Sequence, residues 1–148
     1  MHLVIEFKRA DSDSSWPLPT RGSEGASGLD LSAHLDAPVQ LAPGEIKLIP
    51  TGWCVAIPLG YEGQVRPRSG VASKRGLTII NTPGTIDSDY RGEIFLAMIN
   101  LSSVVQTLTR GERLGQLVIS KVARPEIILK ETLSDTVRGS GAFGSTGS

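Results

Sequence analysis

Apolar residues along this chain come in short runs that alternate with polar ones, and turn residues break the runs at intervals of about 8–12 positions. Leu3–Phe7 reads as a strand, and the polar stretch Ala10–Glu24, with two prolines, reads as a loop. Gly28–Ala33 alternates and predicts a second strand. Ile46–Ile49 and Trp53–Ile57 predict two strands around a Pro50-Thr51-Gly52 turn, after a turn at Pro43-Gly44. Tyr61–Arg66, Leu77–Ile80, Glu93–Leu101, Val104–Leu108 and Leu114–Val122 complete the set, with a turn at Thr82-Pro83-Gly84. No segment sustains a helical period over three turns. One short helix is predicted over Ser69–Arg75, with Ser69 as N-cap and Gly76 as terminator. About ten short strands with one helix predict an all-β sandwich, jelly roll or barrel.

Length and composition narrow this picture. The 148 residues are enough for one domain. Fifteen basic and fifteen acidic side chains cancel, which argues against a generally basic nucleic-acid binder. The single cysteine, Cys54, excludes an internal disulfide and reads as a small core residue in the apolar run Trp53–Ile57. His2 and His34 have no ligand-spaced partners and read as surface residues. No signal peptide and no stretch of about 18 apolar residues is visible, so the expected setting is the cytoplasm, away from membranes. The last eleven residues, from Arg138, are rich in Gly and Ser and predict a flexible C-terminal arm (138–148) on a β domain (1–137).

Four segments gather polar groups and glycine where a β core needs neither. Arg68-Ser69-Gly70 at the start of the predicted helix reads as an anion site or as a plain helix start. Asn81–Gly92 brings Asn81, Asp87 and Tyr90 around one turn: an amide that can pair with a base edge, a carboxylate that can deprotonate water, and a flat ring. The other reading is turn chemistry alone. Gln116 interrupts an apolar strand, either to pair with backbone or to face a site. The arm carries Arg138 and Phe143 among glycines and hydroxyls, the composition of a lid that orders on a ligand or of a plain tail. Asp30 interrupts an apolar strand, as a carboxylate near a magnesium ion or as a partner for an Arg.

In order, Ala26–Ala33, Pro67–Ala72, Asn81–Glu93, Gly111–Ile119 and Arg138–Gly147 resemble the five motifs of the trimeric deoxyuridine triphosphate nucleotidohydrolase (dUTPase) family. The resemblance spans nearly the whole chain. It implies a jelly-roll homotrimer with active sites at subunit interfaces, and Mg2+-dependent hydrolysis of dUTP to dUMP and pyrophosphate. It implies that Asp87 activates the water that attacks the α-phosphorus. Asn81, Thr85 and Ile86 would read uracil, and Tyr90 would pack under the deoxyribose. Arg68, Ser69, Gly70 and Gln116 would hold the phosphates. Arg138, Phe143, Gly144, Ser145 and Thr146 would close over the nucleotide, and Asp30 would reach the magnesium through water, with no direct protein ligand. Ala142 and Leu114-Gly115 depart from the family pattern without removing a functional group.

Two other activities are open to the same scaffold. A dCTP deaminase shares the Gly-x-Ile-Asp turn, but Tyr90 and the Phe-bearing arm favour the dUTPase. A regulatory protein on a dUTPase scaffold would be favoured by a lost Asp or a missing arm, and both are present. A jelly-roll lectin or capsid protein would not need the clustered polar groups.

Overall fold

A computed structural model describes residues 3–142. It contains ten strands and one helix among those residues: β1 Glu6–Arg9, β2 Leu29–Ser32, β3 Val39–Leu41, β4 Ile46–Ala56, β5 Tyr61–Pro67, α1 Ser69–Arg75, β6 Leu77–Ile79, β7 Gly84–Ile86, β8 Glu93–Asn100, β9 Gln106–Leu108 and β10 Arg113–Lys121. One sheet runs β1-β4-β8-β6, the second runs β2-β10-β5-β7, and β3 pairs with β9. Every pairing is antiparallel. Neighbours in the sheets are far apart in sequence, the mark of a jelly roll.

Alternation builds the core. In β8 Ile94, Leu96, Met98 and Asn100 are fully buried while Phe95 faces out. They meet Ile49, Val55 and Ile79 of the same sheet and Leu31, Val65, Leu114 and Leu117 of the other. Leu41 and Leu108 close one end. The outer face of β4 and β8 is also apolar. Ile46 lies opposite Ile99, Leu48 opposite Ala97, and Pro50 opposite Phe95. Leu48 is 66% exposed there.

Five expectations are corrected. The two strands around Pro50-Thr51-Gly52 are one strand, β4, whose register with β8 shifts between Pro50 and Cys54. Gly52 takes φ of 74° at that shift, so the glycine makes an irregularity inside a strand instead of a turn between two. Two strands escape the hydrophobic pattern, β3 and β7, because Val39-Gln40-Leu41 and Gly84-Thr85-Ile86 each centre on a polar residue with no apolar run beside them, unlike the equally short β6 and β9. Ser69 is the first helical residue and Arg68 the N-cap; no side chain caps the helix. Gly76 ends it as expected, with φ of 64°. Cys54 is half-buried outside the core and lines a shallow cavity with Phe7 and Lys8.

The fifth correction concerns His34. Its side chain is only 9% exposed, stacked on Trp16 at 4.5 Å between ring centres, beside Asp11 and Asp13. Arg110 covers the other aromatic partner, 4.7 Å from the Trp16 ring. Trp16 donates its indole N–H to the Thr51 carbonyl at 2.8 Å. This cluster pins the 10–24 loop, which is a loop as expected, onto the irregularity in β4. Gly52 is required there, because a β-carbon would lie 2.8 Å from the His34 ring and 2.9 Å from Trp16. His2 lies outside the described residues.

Asp13 accepts hydrogen bonds from the Ser15 hydroxyl, the Ser15 N–H and Arg110, and sits beside His34. The Ser15 hydroxyl first, then His34 and Arg110, hold its carboxyl down at about 2, against an ordinary 3.8. A folded-state value below the unfolded one adds stability above pH 3.8, and that stability is lost as pH falls toward 2. Asp13→Asn is therefore expected to be less stable than the parent at pH 7, and the difference should vanish near pH 2. Urea unfolding at pH 7, 4 and 2 checks this; a difference that persists at pH 2 would assign it to packing.

Candidate active site

The strand β2, the strand β10 and the helix α1 enclose a cavity of about 610 Å3. Asp30, Arg68, Ser69, Gly70 and Gln116 all line it. These are residues from three separate sequence motifs, and the fold brings them together because β10 pairs with both β2 and β5. Gln116 lies opposite Asp30 on one side and opposite Arg66 on the other, and β5 leads directly into Arg68 and the helix.

Asp30 is the hub. Its Oδ1 forms an ion pair with Arg68 Nε at 3.2 Å, and its Oδ2 accepts a hydrogen bond from Arg113 Nη1 at 3.1 Å. The carboxylate is 17% exposed, so two guanidiniums hold it and it holds them. Its backbone N–H donates to Thr20 at 2.8 Å, which sets the 20–22 segment as a wall of the cavity. Of the two sequence readings for Asp30, the Arg partnership is present.

Ser69 has its hydroxyl available because the helix start does not use it as a cap. Gln116 donates Nε2 to the Pro67 carbonyl at 3.0 Å, leaving its amide oxygen against Gly28. That contact defines a role for Gly28. A β-carbon there would lie 2.3 Å from Gln116 Oε1 and 3.0 Å from its Cβ. Gly28→Ala is therefore expected to displace Gln116 while leaving the apolar core intact. The expected result is a loss of about tenfold in turnover with a small change in melting temperature. Measuring both on the purified variant checks this; unchanged turnover would remove Gln116 from the site.

Asp87 belongs to a different cavity. Thr85, Ile86, Asp87 and Tyr90 line a pocket of about 240 Å3 with Glu93 and Phe95. β7 presents Thr85 and Ile86 by pairing with Gly63–Val65 of β5. The Asp87 carbonyl accepts from Tyr90 N–H at 3.1 Å, closing the turn. Tyr90 donates its hydroxyl to the Glu93 carbonyl at 2.8 Å and lies over Gly92, where a β-carbon would sit 2.5 Å from that hydroxyl. Arg91 donates to the carbonyls of Ser88 and Tyr90 and stiffens the turn. Asn81 is exposed beside this turn. Its Nδ2 lies 3.2 Å from where a Gly84 β-carbon would be, so Gly84 makes room for the amide.

No residue lines both cavities. The strand β10 ends at Lys121, and residues 123–140 are exposed throughout. Among the described residues Arg138 donates to the Gly141 carbonyl, within its own segment. Phe143, Gly144, Ser145 and Thr146 lie outside the described residues.

The sequence profile of the dUTPase family matches residues 14–147. The chain belongs to the dUTPase family. It is 50% identical over 147 residues to the deoxyuridine 5'-triphosphate nucleotidohydrolase of Thermoanaerobacter sp. strain X514, covering 99% of both chains. It is 49% identical to the one from Caulobacter vibrioides strain NA1000 / CB15N, over 98% of this chain and 95% of that one. Among solved structures it is similar to the dUTPase of Staphylococcus bacteriophage 80alpha bound to dUpNHpp. The TM-score is 0.87 at 28% identity, over 98% of this chain and 99% of that one. A dUTPase from phage phi11 of S. aureus, described with a structural Mg(II) ion, gives a TM-score of 0.79 at 25% identity, over 89% of this chain and 99% of that one.

Sequence reasoning singled out neither Arg113 nor Lys74 in the cavity around Asp30, nor Glu93 and Phe95 in the other. Lys74 had a signal: it lies four residues after Gly70 on the same helix face. Arg113 had none. It lies three positions before Gln116, and a regular strand would point the two to opposite faces. A register shift between Arg113 and Gly115 restores them to one side.

Proposed function

We propose that this dUTPase hydrolyses dUTP to dUMP and pyrophosphate in the cytoplasm, in a homotrimer whose sites form between copies. The observation that carries the composite site is the separation of the two cavities: the phosphate-binding groups line one and Asp87 lines the other, with no shared residue. In a homotrimer one nucleotide would take the two sets of groups from two copies. Two further observations support association. The outer face of β4 and β8 is apolar, and Ile127 and Leu133 in the C-terminal segment are 93% and 86% exposed.

In this reading Arg68, Ser69, Gly70 and Gln116 grip the phosphates. Asn81, Thr85 and Ile86 pair with the uracil edge. A cytosine would put an amino donor where the site offers a donor, and such buried mismatches are costly. Tyr90 packs under the deoxyribose, leaving no room for a 2′-hydroxyl. Asp87 takes a proton from water, the water oxygen bonds to the α-phosphorus, and the bond from that phosphorus to the bridging oxygen breaks. Pyrophosphate leaves with the bond electrons. Residues 138–148 act as a lid that excludes bulk water, with Arg138, Phe143, Gly144, Ser145 and Thr146 closing on the nucleotide.

The residues present fit a magnesium ion carried by the substrate. Among the described residues no cluster of three His, Cys, Asp or Glu side chains could hold a metal. Asp30 accepts one hydrogen bond, from Arg113, and pairs with Arg68 by charge, which leaves lone pairs on both oxygens for water. Asp30 would thus hold the ion's water shell, and the ion when bound offsets phosphate charge.

The test is pyrophosphate release from dUTP with and without Mg2+, with dCTP, dTTP and UTP alongside. Magnesium-dependent release from dUTP alone is expected, from a protein that sediments as a trimer. Ammonia from dCTP, or a folded trimer inert toward dUTP, would overturn the reading.

A further inference from the structure

The phosphate cavity holds four cations, and three of them are already engaged. Arg68 and Arg113 share Asp30. Arg75 uses its whole guanidinium: Nε donates to Gln106 at 3.0 Å, Nη1 to Glu112 at 2.8 Å and Nη2 to the Thr107 carbonyl at 2.7 Å. It ties α1 to β9 and β10. The fourth is Lys74. Among the described residues its ammonium has no hydrogen-bond acceptor and no carboxylate within ion-pair distance, yet it lines the cavity. It stands four residues beyond Gly70, so α1 presents Ser69, Gly70 and Lys74 along the cavity wall at about 1.5 Å of rise per residue.

We propose that Lys74 is a phosphate-binding residue of this site and sets its affinity for the polyphosphate part of the nucleotide. The inference rests on the dUTP-hydrolysing reading and adds a residue to it. The physical ground is charge. A triphosphate brings several negative charges into a cavity whose guanidiniums are partly neutralised by Asp30 and Glu112. The ammonium is the group there with its full charge uncommitted. A mobile, hydrated point charge suits a ligand that arrives and leaves, whereas the Arg forks are built into the wall. In this reading Lys74 meets the phosphates while Asp87 takes the proton from water, so Lys74 acts on binding and not on proton transfer.

Lys74→Gln tests this, with Lys74→Arg as the conservative control. In Lys74→Gln, KM for dUTP and the inhibition constant of inorganic pyrophosphate are expected to rise together by about tenfold. Inhibition by dUMP should change less than twofold, and kcat should fall less than twofold. Lys74→Arg should recover most of the loss. The dependence of KM on salt should weaken in Lys74→Gln, because one cation fewer meets the phosphates. The melting temperature should not move, since Lys74 touches no partner that folding needs. Unchanged KM and pyrophosphate inhibition, or a fall in kcat alone, would overturn the proposal. Direct calorimetric titration with inorganic pyrophosphate separates this from the proposed activity. If the parent binds pyrophosphate and Lys74→Gln binds it about tenfold more weakly, Lys74 keeps its role even if dUTP proves not to be hydrolysed. A parent that does not bind pyrophosphate overturns it.

Discussion

Asp87→Asn is expected to lower kcat for dUTP by about 10^2–10^4-fold, the usual contribution of a positioned general base. Nucleotide binding should survive, because Asn has nearly the same shape and Asp87 lines the pocket without holding it together. The turn that carries it is fastened elsewhere: by the backbone bond from Tyr90 to the Asp87 carbonyl, by the Tyr90 hydroxyl on Glu93, and by Arg91 on Ser88 and Tyr90. The melting temperature should therefore stay within about two degrees. Pyrophosphate release and the binding of dUpNHpp, measured on the same preparation, separate chemistry from affinity. Hydrolysis at the parent rate would remove Asp87 from its role as base. Lost binding with lost turnover would make it a structural residue of the pocket.

Asn100→Ala should be among the most destabilising single changes in the fold. Asn100 is fully buried at the end of β8 and satisfies its whole amide. Its Nδ2 donates to the Leu41 carbonyl at 3.0 Å and to the Val104 carbonyl at 2.8 Å. Its Oδ1 accepts from the Ser102 N–H at 2.9 Å and from the Ser102 hydroxyl at 2.7 Å. One side chain thus joins β8, β3 and the turn leading to β9. Removing it strands the Leu41 carbonyl in the interior and leaves a small void. At about 1–3 kcal/mol per unsatisfied buried group plus the void, the expected loss is about 2–4 kcal/mol. For a chain this long, that is a fall of about 5–15 °C in melting temperature, at fixed protein concentration. Asn100→Asp should be worse, since it loses both donors and adds a buried charge. A variant within about 0.5 kcal/mol of the parent in urea unfolding would show that water replaces the lost bonds.

The cavity around Asp30 places strict demands on backbone shape. Its polar groups come from a strand, a helix start and a neighbouring strand, and each is held by contacts that leave its functional face open. Gly28 lets Gln116 lie flat, and Asp30 fixes two guanidiniums at once. Gly115, buried in β10, shows the same closeness: a β-carbon there would lie 3.1 Å from Leu96 and 3.2 Å from Ile79. The Leu114-Gly115 departure from the family pattern thus sits at the register shift, where two neighbouring residues both turn inward.

Much of this was legible in the residues themselves. An all-β sandwich, jelly roll or barrel followed from short alternating runs and turn residues, because alternation is local and survives in any half-buried strand; the resemblance to the dUTPase family narrowed it to the jelly roll. The helix Ser69–Arg75 was readable to the residue, since Gly76 stops it by backbone conformation alone. The candidate residues in the five motifs were visible as polar groups where a core needs none. Other features depended on distant parts of the chain. Pro50-Thr51-Gly52 looks like a turn, yet pairing with β8 carries the strand through it. His34 looks like a surface residue, yet a loop closes over it with Trp16, Asp11 and Asp13. Arg113 and Gln116 share a face only because a register shift changes the parity of β10. The sequence by itself determined which groups are available and which segments are strands, because those depend on neighbours along the chain. Only the tertiary structure decided which groups meet, that Asp30 pairs with two arginines, and that Arg68, Ser69 and Gln116 line one cavity and Asp87 another, because pairing register and loop closure join residues that local pattern cannot relate.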